Sequence, residues 1–286
     1  MIKRLAGVVI LSGLCGCITL PPLPPGDPPP PPMPPAAEVP RPNQQRASFL
    51  FDNAGTRAMN ILAEGEYDEW REQIMDRQER NGDNTAWVFL ANSGDGAPVP
   101  TTLYSDHYGG TVDPDRRQAV REILREYRRR GVYVVGWLTA DDSRDQSSAS
   151  RSQHLAHVQT CVEQLGDLVG EWCVGLEMNE DGRKAHAAAM IAHGKALDPE
   201  AQWGVHLTTG HWKEAIDWGA DVLYYQFGWC GHADCVRQAR EVIPRLGSSI
   251  EFIGAEYNRS SDSAEAKATG QALLSVPGVK GVGNGS

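Results

Sequence analysis

From residue 47 onward the chain alternates short apolar, β-branched or aromatic runs with longer segments in which apolar residues recur every three or four positions. The short runs are Ser48–Phe51, Ala86–Leu90, Val132–Leu138, Cys173–Glu177, Trp203–Leu207, Val222–Gln226, Phe252–Ala255 and the weaker Val279–Val282. This alternation predicts parallel strands joined by helices. The helical segments carry their own punctuation: Asp113-Pro114 reads as an N-cap with proline at the first helical position, and Arg130-Gly131 as the close of that helix. A second helix over Ala185–Leu197 is stopped by Asp198-Pro199. Eight units of about 30 residues match a (β/α)8 TIM barrel of about 250 residues, an α/β fold. The expectation is one domain over 47–286 with a short eighth unit lacking a final helix. A doubly wound open sheet is the alternative, but no glycine-rich phosphate fingerprint follows the first strand. The Gly-, Pro- and Asp-rich stretch Asn92–Gly110 then becomes a long loop at the barrel mouth.

Ahead of the barrel the composition changes twice. Residues 1–17 have a basic start (Lys3, Arg4), an apolar run Leu5–Leu14 too short to span a bilayer, and a small residue before a cysteine, which is an export signal pattern. Leu14-Cys15-Gly16-Cys17 resembles the lipobox of bacterial lipoproteins, which implies Cys17 as the acylated amino terminus; an ordinary signal peptide cut elsewhere is the alternative. Ile18 in place of Asp after that cysteine implies, by the same resemblance, the outer membrane of a Gram-negative cell envelope. Residues 18–46 form a linker whose Pro21–Pro42 stretch holds most of the 19 prolines. Polyproline II rises about 3.1 Å per residue, so roughly 20 residues hold a domain about 60 Å from its anchor. The alternative use is recognition by a proline-binding domain.

A net charge of −10 argues against a nucleic-acid partner, and the basic cluster Tyr127-Arg128-Arg129-Arg130 falls near a helix end. Two of the six cysteines belong to the signal, leaving Cys161, Cys173, Cys230 and Cys235 in an exported domain where disulfides are permitted. Cys230 and Cys235 flank a four-residue loop and are the better pair. A zinc site using Cys230, His232 and Cys235 is the rival reading, without a fourth ligand at a supporting spacing. Cys161 pairs with Cys173 only if a helix packs beside the following strand.

In a barrel of this kind functional groups collect where the strands end, at the C-terminal face. Those positions are acidic here: Asp52-Asn53 after the first strand, Asn92-Ser93 and Asp95 after the second, and Asp141-Asp142 after the third. Glu177-Met178-Asn179-Glu180 follows the fourth strand and Glu256-Tyr257-Asn258 the seventh. Asp141-Asp142-Ser143 also suits an N-cap for the next helix. The fourth and seventh strands lie on opposite sides of the mouth, so glutamates closing them can face each other. Retaining glycoside cleavage needs such a pair, one carboxylic acid to protonate the leaving oxygen and a carboxylate about 5 to 5.5 Å away to attack the anomeric carbon.

The segment Gly175-Leu176-Glu177-Met178-Asn179-Glu180 resembles the Asn-Glu signature of the cellulase-like clan (clan A) of retaining (β/α)8 glycoside hydrolases, and Phe252-Ile253-Gly254-Ala255-Glu256-Tyr257 is similar to the clan's second motif. The resemblance implies Glu180 as acid/base, Asn179 as a contact to the sugar 2-hydroxyl and Glu256 as nucleophile. It also implies a tyrosine near the end of the sixth strand bonded to the nucleophile, either Tyr224 or Tyr225, since neighbours on a strand face opposite ways. His206 and His211 are the candidates for the clan's histidine after the fifth strand. Asp52 joins the substrate-binding set, and Trp137, Trp229 and Trp212 offer faces for sugar stacking or, equally, for packing. Strand parity gives a competing answer at the fourth strand: if the strand continues, Glu177 and Asn179 share a face and Glu180 takes the other. The chain departs from the clan at the eighth strand, where Gly283-Asn284-Gly285-Ser286 stands in place of the usual tryptophan.

These features together read as an envelope-anchored hydrolase acting on carbohydrate by double displacement without cofactor or metal: Glu256 attacks, Glu180 protonates the leaving sugar and then activates water. The rival from another class is a glycan-binding barrel lipoprotein that does not cut, favoured by the shortened eighth unit. A metal-dependent hydrolase using His206, His211 and the acidic strand ends ranks behind both, lacking a His-x-His pair on the first strand.

Overall fold

The computed structural model describes residues 45–48, 51–53, 65, 74–90, 103–140, 144–180, 183–228, 230–258 and 263–284, with the backbone alone for 51–53 and 144–145. Cys17, the proline-rich linker, Asn92-Ser93, Asp95, Asp141-Asp142 and Trp229 lie outside the described residues, and nothing is described of the Asp52 side chain.

Nine strand segments make one all-parallel sheet that curls back on itself. They are β1 (Arg46–Ser48), β2 (Phe51–Asn53), β3 (Thr85–Phe89), β4 (Tyr133–Trp137), β5 (Glu171–Cys173), β6 (Gln202–Leu207), β7 (Val222–Gln226), β8 (Glu251–Ala255) and β9 (Val279–Gly283). β1 and β2 are two parts of the first barrel strand: β1 pairs with β9 through Arg46 opposite Gly281, and β2 with β3 through Phe51 opposite Trp87. Pairing of the first strand with both the second and the last makes a single-domain (β/α)8 barrel and excludes the open sheet. The helices are α1 (Asp76–Asn81), α2 (Pro114–Arg129), α3 (Arg144–Ser147), α4 (Arg151–Leu165), α5 (Lys184–Leu197), α6 (Trp212–Asp217), α7 (His232–Leu246) and α8 (Ala264–Leu274). Asp113 caps α2 by accepting from the amides of Asp115 and Arg116, with Pro114 behind it where no amide donor is missed. Ser150 and Gln153 close a capping box on α4.

Strand alternation sorts the core into two layers. Outward residues such as Val88, Val134, Val205 and Phe252 pack with Ile123, Val158, Met190 and Leu273 of the helices, each aliphatic side chain contributing about 1.5–3 kcal/mol by leaving water. Inward residues fill the barrel with large rings, Trp87, Trp137 and Tyr224 meeting at centroid distances of 5.1 to 5.2 Å. Glycine makes room for them: a Cβ at Gly283 would lie 2.1 Å from the Trp87 ring, and one at Gly204 2.7 Å from Tyr224.

One expected boundary is wrong in an informative way. The fourth barrel strand covers Glu171–Cys173, not Cys173–Glu177, because Glu171 is a fully buried strand residue and not the charged end of a helix. Arg46 reaches it across the barrel floor and also holds Glu251 at 2.7 Å, while the Tyr224 hydroxyl donates to the other Glu171 oxygen. An ion pair supplied from a distant strand makes a carboxylate tolerable in the core.

Candidate active site

Two glutamates stand just past the ends of β5 and β8, and they share an unusual backbone. Among the described residues, Glu177 (φ 45°) and Glu256 (φ 44°) are the two non-glycine residues in the left-handed region. The chain reaches Glu177 through Gly175, where a Cβ would lie 1.8 Å from Thr139 Oγ1. Leu176 then donates to the Thr139 carbonyl at 3.0 Å, and Met178 donates to the His206 carbonyl at 3.0 Å while its side chain turns into the outer core. On the other side the Glu256 amide donates to Gly283 at 3.0 Å, and the buried Asn284 accepts from the Asn258 amide at 2.8 Å. Both turns are fixed by neighbouring strands, which is how an unfavourable backbone conformation is held.

Gln226, the last residue of β7, ties the two glutamates together. Its Nε2 donates to Glu177 Oε1 at 2.7 Å and to Glu256 Oε2 at 2.8 Å. Two carboxylate acceptors fix the amide orientation, with nitrogen and not oxygen facing them. His206, on β6 between them, makes a second link: its Nδ1 accepts the Glu177 amide at 2.9 Å, so the ring proton sits on Nε2, 3.5 Å from Glu256 Oε2. Burial, and next the charge of Arg183, pull the His206 pKa down to about 3. The ring is therefore neutral, and its contact with Glu256 is dipole to carboxylate and not an ion pair. Arg183 is itself buried and donates to the Ala140 carbonyl at 2.6 Å, bracing the end of the third barrel strand.

The other expected site residues fall elsewhere. Glu180 is exposed on the turn after Glu177, its amide donating to the Glu177 carbonyl at 2.9 Å; the glutamate brought to Glu256 through Gln226 is Glu177. Asn179 spends its amide on Thr208, donating to Oγ1 at 2.6 Å and accepting from the backbone at 2.8 Å, so it braces the turn instead of reaching over the mouth. Tyr224 points inward but one layer too deep, bonded to Glu171 and not to Glu256. Tyr225 points outward, accepting from Gly210 at 3.1 Å and donating to Gln238 at 3.3 Å. The place expected for a tyrosine is taken by Gln226. Trp137 is fully buried barrel filling, 5.4 Å from the His206 ring, and offers no open face for a sugar. His211 starts α6 and pairs with Glu214 of the same helix at 2.9 Å, and Trp212 lies beside it in the helix layer. Cys230 and Cys235 form a disulfide with Cα atoms 5.9 Å apart, which leaves neither thiolate for zinc, while Cys161 and Cys173 are free and buried. Among the described residues no three His, Cys, Asp or Glu side chains are grouped to hold a metal ion.

Sequence reasoning missed Gln226. The signal was present: Val222, Tyr224 and Gln226 share the inward face, and the last of them lies at the mouth. Glutamine does not titrate and belongs to neither glutamate motif, so strand direction is the one signal that marks it.

Solved structures that share this barrel fold include several glycoside hydrolases. A GH53 catalytic domain from Ignisphaera aggregans aligns over 83% of this chain and 84% of its own, with TM-score 0.54 and 14% identity. A GH113 β-1,4-mannanase aligns over 85% and 88%, with TM-score 0.57 and 12% identity. A glycoside hydrolase family 5 protein from Bacteroides vulgatus ATCC 8482 aligns over 84% of this chain and 57% of its own, with TM-score 0.57 and 10% identity. At such identities the likeness is one of fold. No protein-family profile and no curated protein sequence matches the chain.

Proposed function

We propose that the barrel is a retaining glycoside hydrolase acting on an oligo- or polysaccharide, with Glu256 as nucleophile and Glu177 as acid/base. The observation that carries this reading is the contact both make with one nitrogen. Oxygens lying 2.7 and 2.8 Å from Gln226 Nε2 are separated by at most about 5.5 Å, the sum of the two contacts. A donor shared by one oxygen of each group favours the spacing of about 5–5.5 Å of retaining enzymes over the about 6.5–9.5 Å at which inversion admits a water. Glu256 attacks the anomeric carbon while Glu177 gives its proton to the departing oxygen. The Glu177 carboxylate then takes a proton from the water that releases the sugar from Glu256.

The test is a set of three variants of the full chain, assayed on dinitrophenyl glycosides and on β-1,4-mannan and xylan oligosaccharides. Those sugars come first because the fold is shared with a β-1,4-mannanase and with a xylanase bound to xylopentaose. Glu256→Gln abolishes turnover and keeps sugar affinity. Glu177→Gln lowers kcat/KM about 10²–10⁴-fold on substrates whose leaving group needs a proton, and far less on dinitrophenyl glycosides. Glu180→Gln leaves turnover near the wild-type value; a loss equal to that of Glu177→Gln would return the acid/base role to Glu180. Sugar binding by the wild type without turnover selects the glycan-binding barrel.

The amino-terminal segment gives the proposed enzyme its location: export by residues 1–17, acylation at Cys17, and a proline-rich spacer holding the barrel off the outer membrane of a Gram-negative cell. Labelling with radioactive palmitate in such a cell, lost in Cys17→Ser, tests this.

A further inference from the structure

We infer that Gln226 is a shared positioning residue that favours the charged forms of both Glu177 and Glu256 in the unliganded protein, offsetting their mutual repulsion, and thereby sets the pH window of the site. The inference rests on the hydrolase reading for its consequence in catalysis, but the contact itself does not depend on it. A primary amide nitrogen carries two hydrogens, and here one goes to each carboxylate, at 2.7 and 2.8 Å. Two carboxylates this close repel, which normally pushes a proton onto one of them. Donation to an ionised oxygen works against that push, because a hydrogen bond to the charged form favours it. Gln226 therefore opposes protonation of both members. For Glu256 this preserves the nucleophile, and for Glu177 it holds the acid/base at a lower pKa than the bare pair would give.

The described groups around the pair act differently. His206 on β6 is neutral, accepts the Glu177 backbone amide and turns Nε2 toward Glu256 at 3.5 Å. Arg183 stands behind His206 and spends a guanidinium donor on Ala140. Cys173 on β5 donates to the Gly175 carbonyl at 3.7 Å, and burial raises its pKa. One layer below, Tyr224 on β7 and Arg46 on β1 are committed to Glu171 on β5, and Glu251 on β8 to Arg46. Among the described residues, Gln226 is the side chain seen to donate to both carboxylates.

Gln226→Met keeps the length of the side chain and removes both donors; Gln226→Asn keeps the amide but shortens its reach, and carries the same test should the methionine variant fail to fold. In the full-length protein with isotope-labelled glutamate, the titration of Glu177 and Glu256 is followed by NMR, with Glu177→Gln and Glu256→Gln used to assign the signals. The expected result is a rise of about one pH unit or more in at least one of the two, a tenfold change in its ionised fraction. On a hydrolysed substrate, both limbs of the kcat/KM profile move toward alkaline pH by a similar amount. Unchanged titration in the variant, with or without turnover, overturns the inference. A shifted titration in a protein that hydrolyses no glycoside supports it and defeats the hydrolase reading alone.

Discussion

Replacing Glu256 or Glu177 by glycine is expected to leave a more stable protein than replacing it by alanine, the reverse of the order found in helices. At φ 44° and 45° the Cβ of an L-residue crowds the following carbonyl oxygen, at about 1–2 kcal/mol per residue, and glycine escapes this. Against that stands the greater freedom of glycine in the unfolded chain, about 0.5–1 kcal/mol relative to alanine. The difference leaves glycine ahead by up to about 1.5 kcal/mol at each position, centred near about 0.75 kcal/mol, or roughly 2–3 °C in Tm for a domain of this size. Both truncations delete the same carboxylate and the same bond to Gln226, so those losses cancel between the two variants. Glu122, inside α2, supplies the control, since glycine there costs about 1 kcal/mol relative to alanine. Urea titrations of the six single variants read the sign directly. Alanine equal to or better than glycine at both glutamates would refute the claim that strained backbone holds the pair. Doubly substituted proteins are the wrong test, because the two residues share Gln226 and their effects do not add.

The remaining predictions concern the frame around the site. His157 and His206 are buried with pKa values lowered to about 3 from the usual 6.5, chiefly by desolvation. The unfolded chain therefore takes up their protons first, and the stability they contribute is full above pH 6.5 and lost as pH falls toward 3. Each adds up to about 1.4 kcal/mol per pH unit, so urea midpoints that stay level from pH 6.5 to 4.5 would contradict the burial argument. Arg46→Met leaves Glu171 buried without its cation and is expected to cost about 3–5 kcal/mol; calorimetry giving less than about 1 kcal/mol would show the ion pair to be dispensable. Replacing Cys230 and Cys235 together by serine opens a short loop and is expected to cost about 2 kcal/mol in denaturant titration, with little change if the crosslink does not constrain the unfolded chain.

Hydrophobic periodicity made the barrel legible because strands and helices bury one kind of surface each, and that regularity repeats through the domain. The first strand starts two residues before and ends two residues after its expected bounds, whereas the fourth, Glu171–Cys173, ends four residues early and is the one whose pattern is broken by a charge. Nothing local in the sequence says that Glu171 will be neutralised, since Arg46 lies 125 residues earlier. Pairwise compensation across the barrel is tertiary information, and a reading of periodicity cannot contain it.

The site was half legible for a related reason. Glu256 and His206 were expected at the mouth and lie together there, while the motif resemblance implied Glu180 as acid/base and the glutamate that shares Gln226 with Glu256 is Glu177. Parity grouped Glu177 with Asn179, but the strand ends before either residue. Val174 and Met178 donate to Gly204 and His206 of β6, whereas Leu176 donates to Thr139 on the other side, so the ladder is interrupted between them. Val174 and Met178 pack into the helix layer, Leu176 packs against the inner rings, and Glu177 reaches Gln226 at the mouth. The turn over 176–179 then leaves Glu180 exposed. Within β7 alternation holds and points Gln226 to the mouth. The barrel fixes directions inside its strands while it leaves turns free to differ, so Gln226 was legible by direction and the choice between Glu177 and Glu180 was not.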